Sequence, residues 1–161
     1  MTESATRCLI LACGNTLRED DGVGPWLAAW AQERFLSDPS VRVLSRQQWT
    51  PELSEEIAAA DSVLFIDCAI DADPGSVHLT SVEPGDESPA LATHHLGPAQ
   101  LLSLSQELYG SLPTSALQLT IGAASIDLRE GFSPAVNAAL PDARASLELA
   151  VVRLLTPTPN Q

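Results

Sequence analysis

"RCLILACGNTLREDDGVG", residues 7–24, decides how the rest of the chain is read. The apolar run Cys8–Cys13 stops at Gly14, and three adjacent acids, Glu19, Asp20 and Asp21, precede Gly22 and Gly24. A short apolar run ended by glycine reads as a buried strand. The following "GVGPWLAAWAQERFL" (22–36) sets Val23, Leu27, Trp30, Ala31 and Phe35 on one helical face. Strand, tight loop and helix form the opening unit of an α/β fold. The loop poses its own question, because Glu19, Asp20 and Asp21 repel one another. It is either a solvated connection or a loop built to hold something positive.

The alternation continues along the chain. "VRVLS" (41–45) is a short strand, and "TPELSEEIAAA" (50–60) a helix with Thr50 as N-cap and Pro51 in the first helical position. "DSVLFIDCAI" (61–70) is a second central strand ending at Asp67. "GSVHLTSVEP" (75–84) alternates and runs into Pro84 and Gly85, which suits a sheet edge. "LGPAQLLSLSQELYG" (96–110) is a helix closed by Gly110, and "LQLTIGAA" (117–124) is the last strand. In the closing helix, residues 133–155, Ser133 is the cap, Pro134 the start, and Pro141 a kink or interruption. The expected architecture is an α/β three-layer sandwich with a mainly parallel twisted sheet and one antiparallel edge strand. A single domain over residues 1–156 is expected, with residues 157–161 as a frayed tail.

Length and composition agree with that expectation. The 161 residues are 45% hydrophobic, enough to bury a core. A formal charge of −13 argues against nucleic acid or an anionic membrane as partner, and favours a basic partner segment. Cys8, Cys13 and Cys68 form no CxxC pair and read as small buried residues of a reducing cytoplasm. "LILAC" ending at Cys13 mimics a lipoprotein cleavage site, but its apolar run is too short and Glu3 lies in the leader position. No stretch is long enough to span a bilayer.

Ligands of parallel α/β sheets collect at the carboxyl ends of the strands. The acid loop follows the first strand, Asp67 ends the third, and His94 and His95 lie on the connection before the next helix. Carboxylates and an imidazole suit nickel, zinc, iron or manganese, and three protein ligands leave positions open for a substrate. Each residue alone also has a plainer role. Asp67 could cap a turn, His94 could be a loop residue, and the acids could complement a helix dipole. Trp26, Trp30 and Trp49 read as packing residues. The loop lacks GxGxxG spacing, and its acids would repel a phosphate; no GxSxG elbow, HExxH or EF-hand pattern occurs.

In order, "LILACGNTLREDDGVG", "VLFIDCAIDADPGSV", "THHLGPAQLL" and "LTIGAASIDLREGFSPAV" resemble the hydrogenase maturation proteases. These endopeptidases trim the C-terminal extension from the large subunit of [NiFe] hydrogenases. The resemblance implies a cytoplasmic endopeptidase acting on the nickel-loaded precursor. It implies Asp21, Asp67 and His94 as metal-binding and catalytic residues, nickel supplied by the substrate, and no organic cofactor. His95 falls where the family tolerates other polar residues, and Asp20 is left as a helix cap or a group supporting the ligands. The chain departs from the family pattern after the second strand: "RQQWTPEL" (46–53) stands where many members carry a glycine-glycine-threonine stretch that contacts substrate. Two other readings fit the same residues. One is a nickel-checking assembly factor that cuts nothing; the other is a metallopeptidase with a resident zinc.

Overall fold

A computed structural model of the chain describes residues 6–85 and 96–156, so His94, His95 and the tail 157–161 lie outside the described residues. Among the described residues, five strands form one sheet: β1 (Cys8–Cys13), β2 (Val41–Arg46), β3 (Ser62–Ala69), β4 (Val77–Ser81) and β5 (Ser115–Gly122). Their spatial order is β2-β1-β3-β5-β4. The first three junctions are parallel, and β4 closes one edge antiparallel to β5. Among the described residues, four α-helices accompany the sheet: α1 (Val23–Arg34), α2 (Leu53–Ala58), α3 (Pro98–Tyr109) and α4 (Pro134–Leu155).

β1, and β3 from Val63 to Ile66, are apolar throughout because both of their faces are covered. Cys8, Ile10 and Ala12 of β1 join Leu64 and Ile66 of β3 under α1 and α4. The alternate residues Leu9, Leu11, Val63 and Phe65 pack under α2 and α3, against Leu53, Ile57, Leu101 and Leu102. This is the mainly parallel α/β sandwich expected from the sequence. Each fully buried Leu, Ile or Phe side chain contributes about 1.5–3 kcal/mol of transfer free energy. Strand directions bring the carboxyl ends of β1, β2, β3 and β5 to one edge of the sheet.

Two local expectations differ. Thr50 does not cap α2, which begins at Leu53 after Glu52 and has no side-chain cap bond. Its carbonyl instead accepts from Leu53 N–H at 3.1 Å, and Pro51 accepts from Ser54, giving a tight turn before the helix. Pro141 does not interrupt α4, which runs through 22 residues. The ring and Asn137, whose carbonyl loses its partner, both lie on the exposed face, where water can satisfy that carbonyl. The opposite face is held by buried Val136, Ala139, Ala143, Leu147 and Val151. Ser133 does cap α4, its hydroxyl accepting from Val136 N–H, and Gly110 ends α3 in the left-handed region at φ 65°.

Candidate active site at the carboxyl edge of the sheet

The acid loop forms a 3-10 turn over Glu19–Gly22 that feeds directly into α1. Two glycines make this possible. A Cβ on Gly14, at φ 154°, would overlap the carbonyl of Asp21, and one on Gly24 would overlap the carbonyl of Cys13. The turn therefore lies directly on the end of β1. Replacing Gly24 with Ala is expected to destabilise the protein by about 1–3 kcal/mol, as overpacking does; a thermal melt unchanged from wild type would contradict this contact.

The turn aims its three acids differently. Asp21 stays half-buried, with Oδ2 accepting from Asn15 N–H at 2.8 Å and Oδ1 from the Cys68 thiol at 3.3 Å. Asp20 is fully buried. Its Oδ2 accepts from Ala124 N–H, Ser125 N–H and the Ser133 hydroxyl, and its Oδ1 from Ser133 N–H at 2.8 Å. Those bonds outweigh the cost of burial and hold its carboxyl below the ordinary range. Asp20 thus ties the turn to the loop after β5 and to the start of α4; it does not cap α1, whose N-cap is Gly22. Glu19 is buried at φ 46°, with its Oε1 3.8 Å from Arg129 Nη1.

Asp67 stands two residues before the end of β3, on the α2–α3 side of the sheet. Gln118 Nε2 donates to both of its oxygens, at 3.2 and 3.3 Å, and Thr120 Oγ1 donates to Oδ1 at 3.3 Å. Burial pushes its carboxyl pKa up, the Gln118 and Thr120 bonds oppose that, and the charge of Asp21 adds to it. The two acids thus interact although they come from separate elements. Alternation along β3 puts Cys68 on the other face, beneath Asp21. The proposed carboxylates therefore approach the sheet edge from opposite faces.

Beside Asp67 opens a shallow groove of about 490 Å³, lined by Cys13, Gln47, Gln48, Trp49, Leu96 and Gln100 among others. Trp49 is anchored edge-on against Phe65, with ring centroids 5.7 Å apart. The departing stretch after β2 therefore forms one wall of the groove. Among the described residues no group of three or more His, Cys, Asp and Glu side chains is placed to hold a metal ion. His94, the third ligand implied by the family resemblance, lies outside those residues.

The cysteines are all free. Burial, with the nearby charges of Asp67 and Asp21, pushes the Cys13 thiol up to about 12, and burial pushes Cys8 up to about 11. Cys68 is raised further by burial and by its bond to Asp21. None is a thiolate at neutral pH, so none is poised as a nucleophile. Substitution of all three by Ser is expected to preserve proteolysis at a stability cost of about 1–3 kcal/mol. Complete loss of cleavage in a folded triple variant would overturn this.

Gln118 and Thr120 were not among the residues singled out from sequence. A signal was present: two polar residues alternate with Leu117, Leu119 and Ile121 in a strand that lies inside the sheet. Only the register, which sets Asp67 opposite Thr120, gives that alternation a purpose.

No protein-family model matches the chain, and no curated protein matches it significantly. Solved structures do. The hydrogenase maturating endopeptidase HybD from E. coli superposes with a TM-score of 0.69 at 23% identity, over 91% of this chain and 93% of that one. The [NiFe] hydrogenase maturation protease HycI from Thermococcus kodakarensis gives 0.66 at 25% identity, over 93% and 92%. The maturation protease HybD from the same organism gives 0.65 at 27% identity, over 89% and 98%. Across most of its length, the chain is structurally homologous to the hydrogenase maturation proteases.

Proposed function

We propose that the protein is an endopeptidase that removes the C-terminal extension of a nickel-loaded [NiFe] hydrogenase large-subunit precursor. The observation that supports this reading is the placement of Asp21, on the turn after β1, and Asp67, near the end of β3, at one edge of the sheet, where Asp67 lines an open groove. The homology to maturation endopeptidases supports peptidase activity. The nickel ion belongs to the substrate. Asp21, Asp67 and His94 are proposed to complete its coordination, a donor set of two carboxylates and one imidazole that suits a borderline divalent ion. Hydrolysis then needs a carbonyl polarised by the ion and a carboxylate to accept a proton from the attacking water. No helix among the described residues is long and apolar enough to cross a membrane. The cytoplasm is the proposed compartment, consistent with three free thiols.

The histidine assignment has its own test. His94→Ala is expected to abolish processing of nickel-loaded precursor, and His95→Ala to reduce it mildly. A larger loss in the His95 variant would move the ligand by one residue.

The groove wall tests specificity. Gln47, Gln48 and Trp49 sit on a loop that a fixed scaffold presents beside Asp67. Exchanging Gln47–Glu52 for the glycine-glycine-threonine form is expected to change which precursor is cut more than it changes metal affinity. Unchanged efficiency on the original precursor would remove the loop as a specificity element.

A further inference from the structure

β5 lies between β3 and β4, and its Leu117, Leu119 and Ile121 pack on the face toward α1 and α4. Gln118 and Thr120 lie on the opposite face, both half-buried. Their partners in β3 are Phe65 and Asp67. The polarity continues into β4, where Thr80 stands opposite Gln118 and His78 opposite Thr120. Toward the β4 edge, then, apolar packing does not hold the Asp67 side chain. Hydrogen bonds do: Gln118 Nε2 reaches both carboxylate oxygens, and Thr120 Oγ1 reaches Oδ1. A donor that bridges both oxygens and a second that marks one of them fix the tilt and the rotation of the carboxylate together.

We propose that Gln118 and Thr120 are positioning residues that hold the Asp67 carboxylate in the single orientation in which it meets the metal of the precursor. This rests on the proposed role of Asp67. Neither side chain touches substrate in this account; both act through Asp67. Groups that orient a ligand from the neighbouring shell typically change metal affinity or activity about 10–100-fold when removed. Both residues are only half-buried, so shape-matched replacements can be made without opening a large cavity.

The test combines Gln118→Met and Thr120→Val, which keep side-chain size and remove the donors. Two readouts are taken on the intact protein: the χ1 population of Asp67 from NMR couplings, and kcat/KM for nickel-loaded precursor. Wild type is expected to show one Asp67 rotamer. The double variant is expected to melt cooperatively, to average its Asp67 rotamers, and to lose about 10–100-fold in kcat/KM. Thr120→Ser, which keeps the hydroxyl, should retain the wild-type rotamer and rate; if the double variant does not fold, Thr120→Val alone is compared with it. A folded variant that keeps a single Asp67 rotamer and the wild-type rate overturns the proposal. If wild type itself does not process the precursor, the proposed function fails, while the rotamer measurement still decides whether Gln118 and Thr120 position Asp67.

Discussion

Asp67→Asn is expected to abolish processing while leaving the protein at least as stable as wild type. The two effects part because Asp67 is held at a cost. Burial and the neighbouring charge of Asp21 both disfavour its ionised form, so its carboxyl sits above the ordinary range. Where the folded value exceeds the unfolded one, the folded state takes up the proton more readily. Stability therefore rises as pH falls through that window and is lowest with Asp67 charged. The amide of Asn is neutral, nearly isosteric, and keeps an oxygen for Gln118 and Thr120. Removing the charge should leave Tm equal or slightly raised at neutral pH. Processing should fall by more than the roughly 10–100-fold expected for a supporting residue, because the proposed ligand itself is lost. Wild-type rates in the folded variant would remove Asp67 from the site, and a large fall in Tm would make it a structural residue.

Asp20→Ala is expected to do the reverse at the neighbouring position: it should unfold or severely weaken the protein. Four donors converge on this buried carboxylate from Ala124, Ser125 and Ser133. Deleting the acceptor strands all of them, and breaking a buried charged network typically costs about 3–5 kcal/mol. That is a large part of the roughly 5–15 kcal/mol that holds a domain together. Asp20→Asn should cost less, since its oxygen can keep the three Oδ2 partners and only the bond from Ser133 N–H is lost, the amide being a donor that cannot accept it. The lowered carboxyl gives a pH signature of the usual sign. Its contribution is complete above the unfolded carboxylate value and is lost as pH falls through the folded one. Urea denaturation at neutral and acid pH checks both statements. An Asp20→Ala protein with the wild-type midpoint would show that the four bonds contribute nothing net.

The contrast between these neighbours marks where sequence reading ends. The strands and helices were legible because burial on two faces writes continuous apolar runs, and because Ser133, Pro134 and Gly110 punctuate the helices by local chemistry. The edge strand was legible in its alternation and its closing Pro84 and Gly85. Asp20 and Asp21 are indistinguishable as adjacent letters. What separates them is Ser133, 113 residues away from Asp20. The support of Asp67 by Gln118 and Thr120 depends on the register between β3 and β5, which strand patterns do not carry. Cys68 read as a packing residue, and only the turn laid over the sheet edge brings its thiol to Asp21. Pro141 was read by its local cost alone, whereas the packed face of α4 outweighs it.

The central claim is that Asp21, Asp67 and His94 read a metal that the precursor brings. An empty site with two carboxylates in mutual repulsion should bind a free divalent ion only modestly, yet favour a partner that arrives with a positive charge. A resident catalytic zinc is more commonly held by histidine- or cysteine-rich ligation. The most direct measurement digests matched nickel-loaded and nickel-free precursors with purified protein whose own metal content has been determined. Cleavage of the loaded form alone, by protein carrying little stoichiometric metal, is the predicted result. Efficient cutting of verified nickel-free precursor, or dependence on a full equivalent of tightly held zinc, would contradict it.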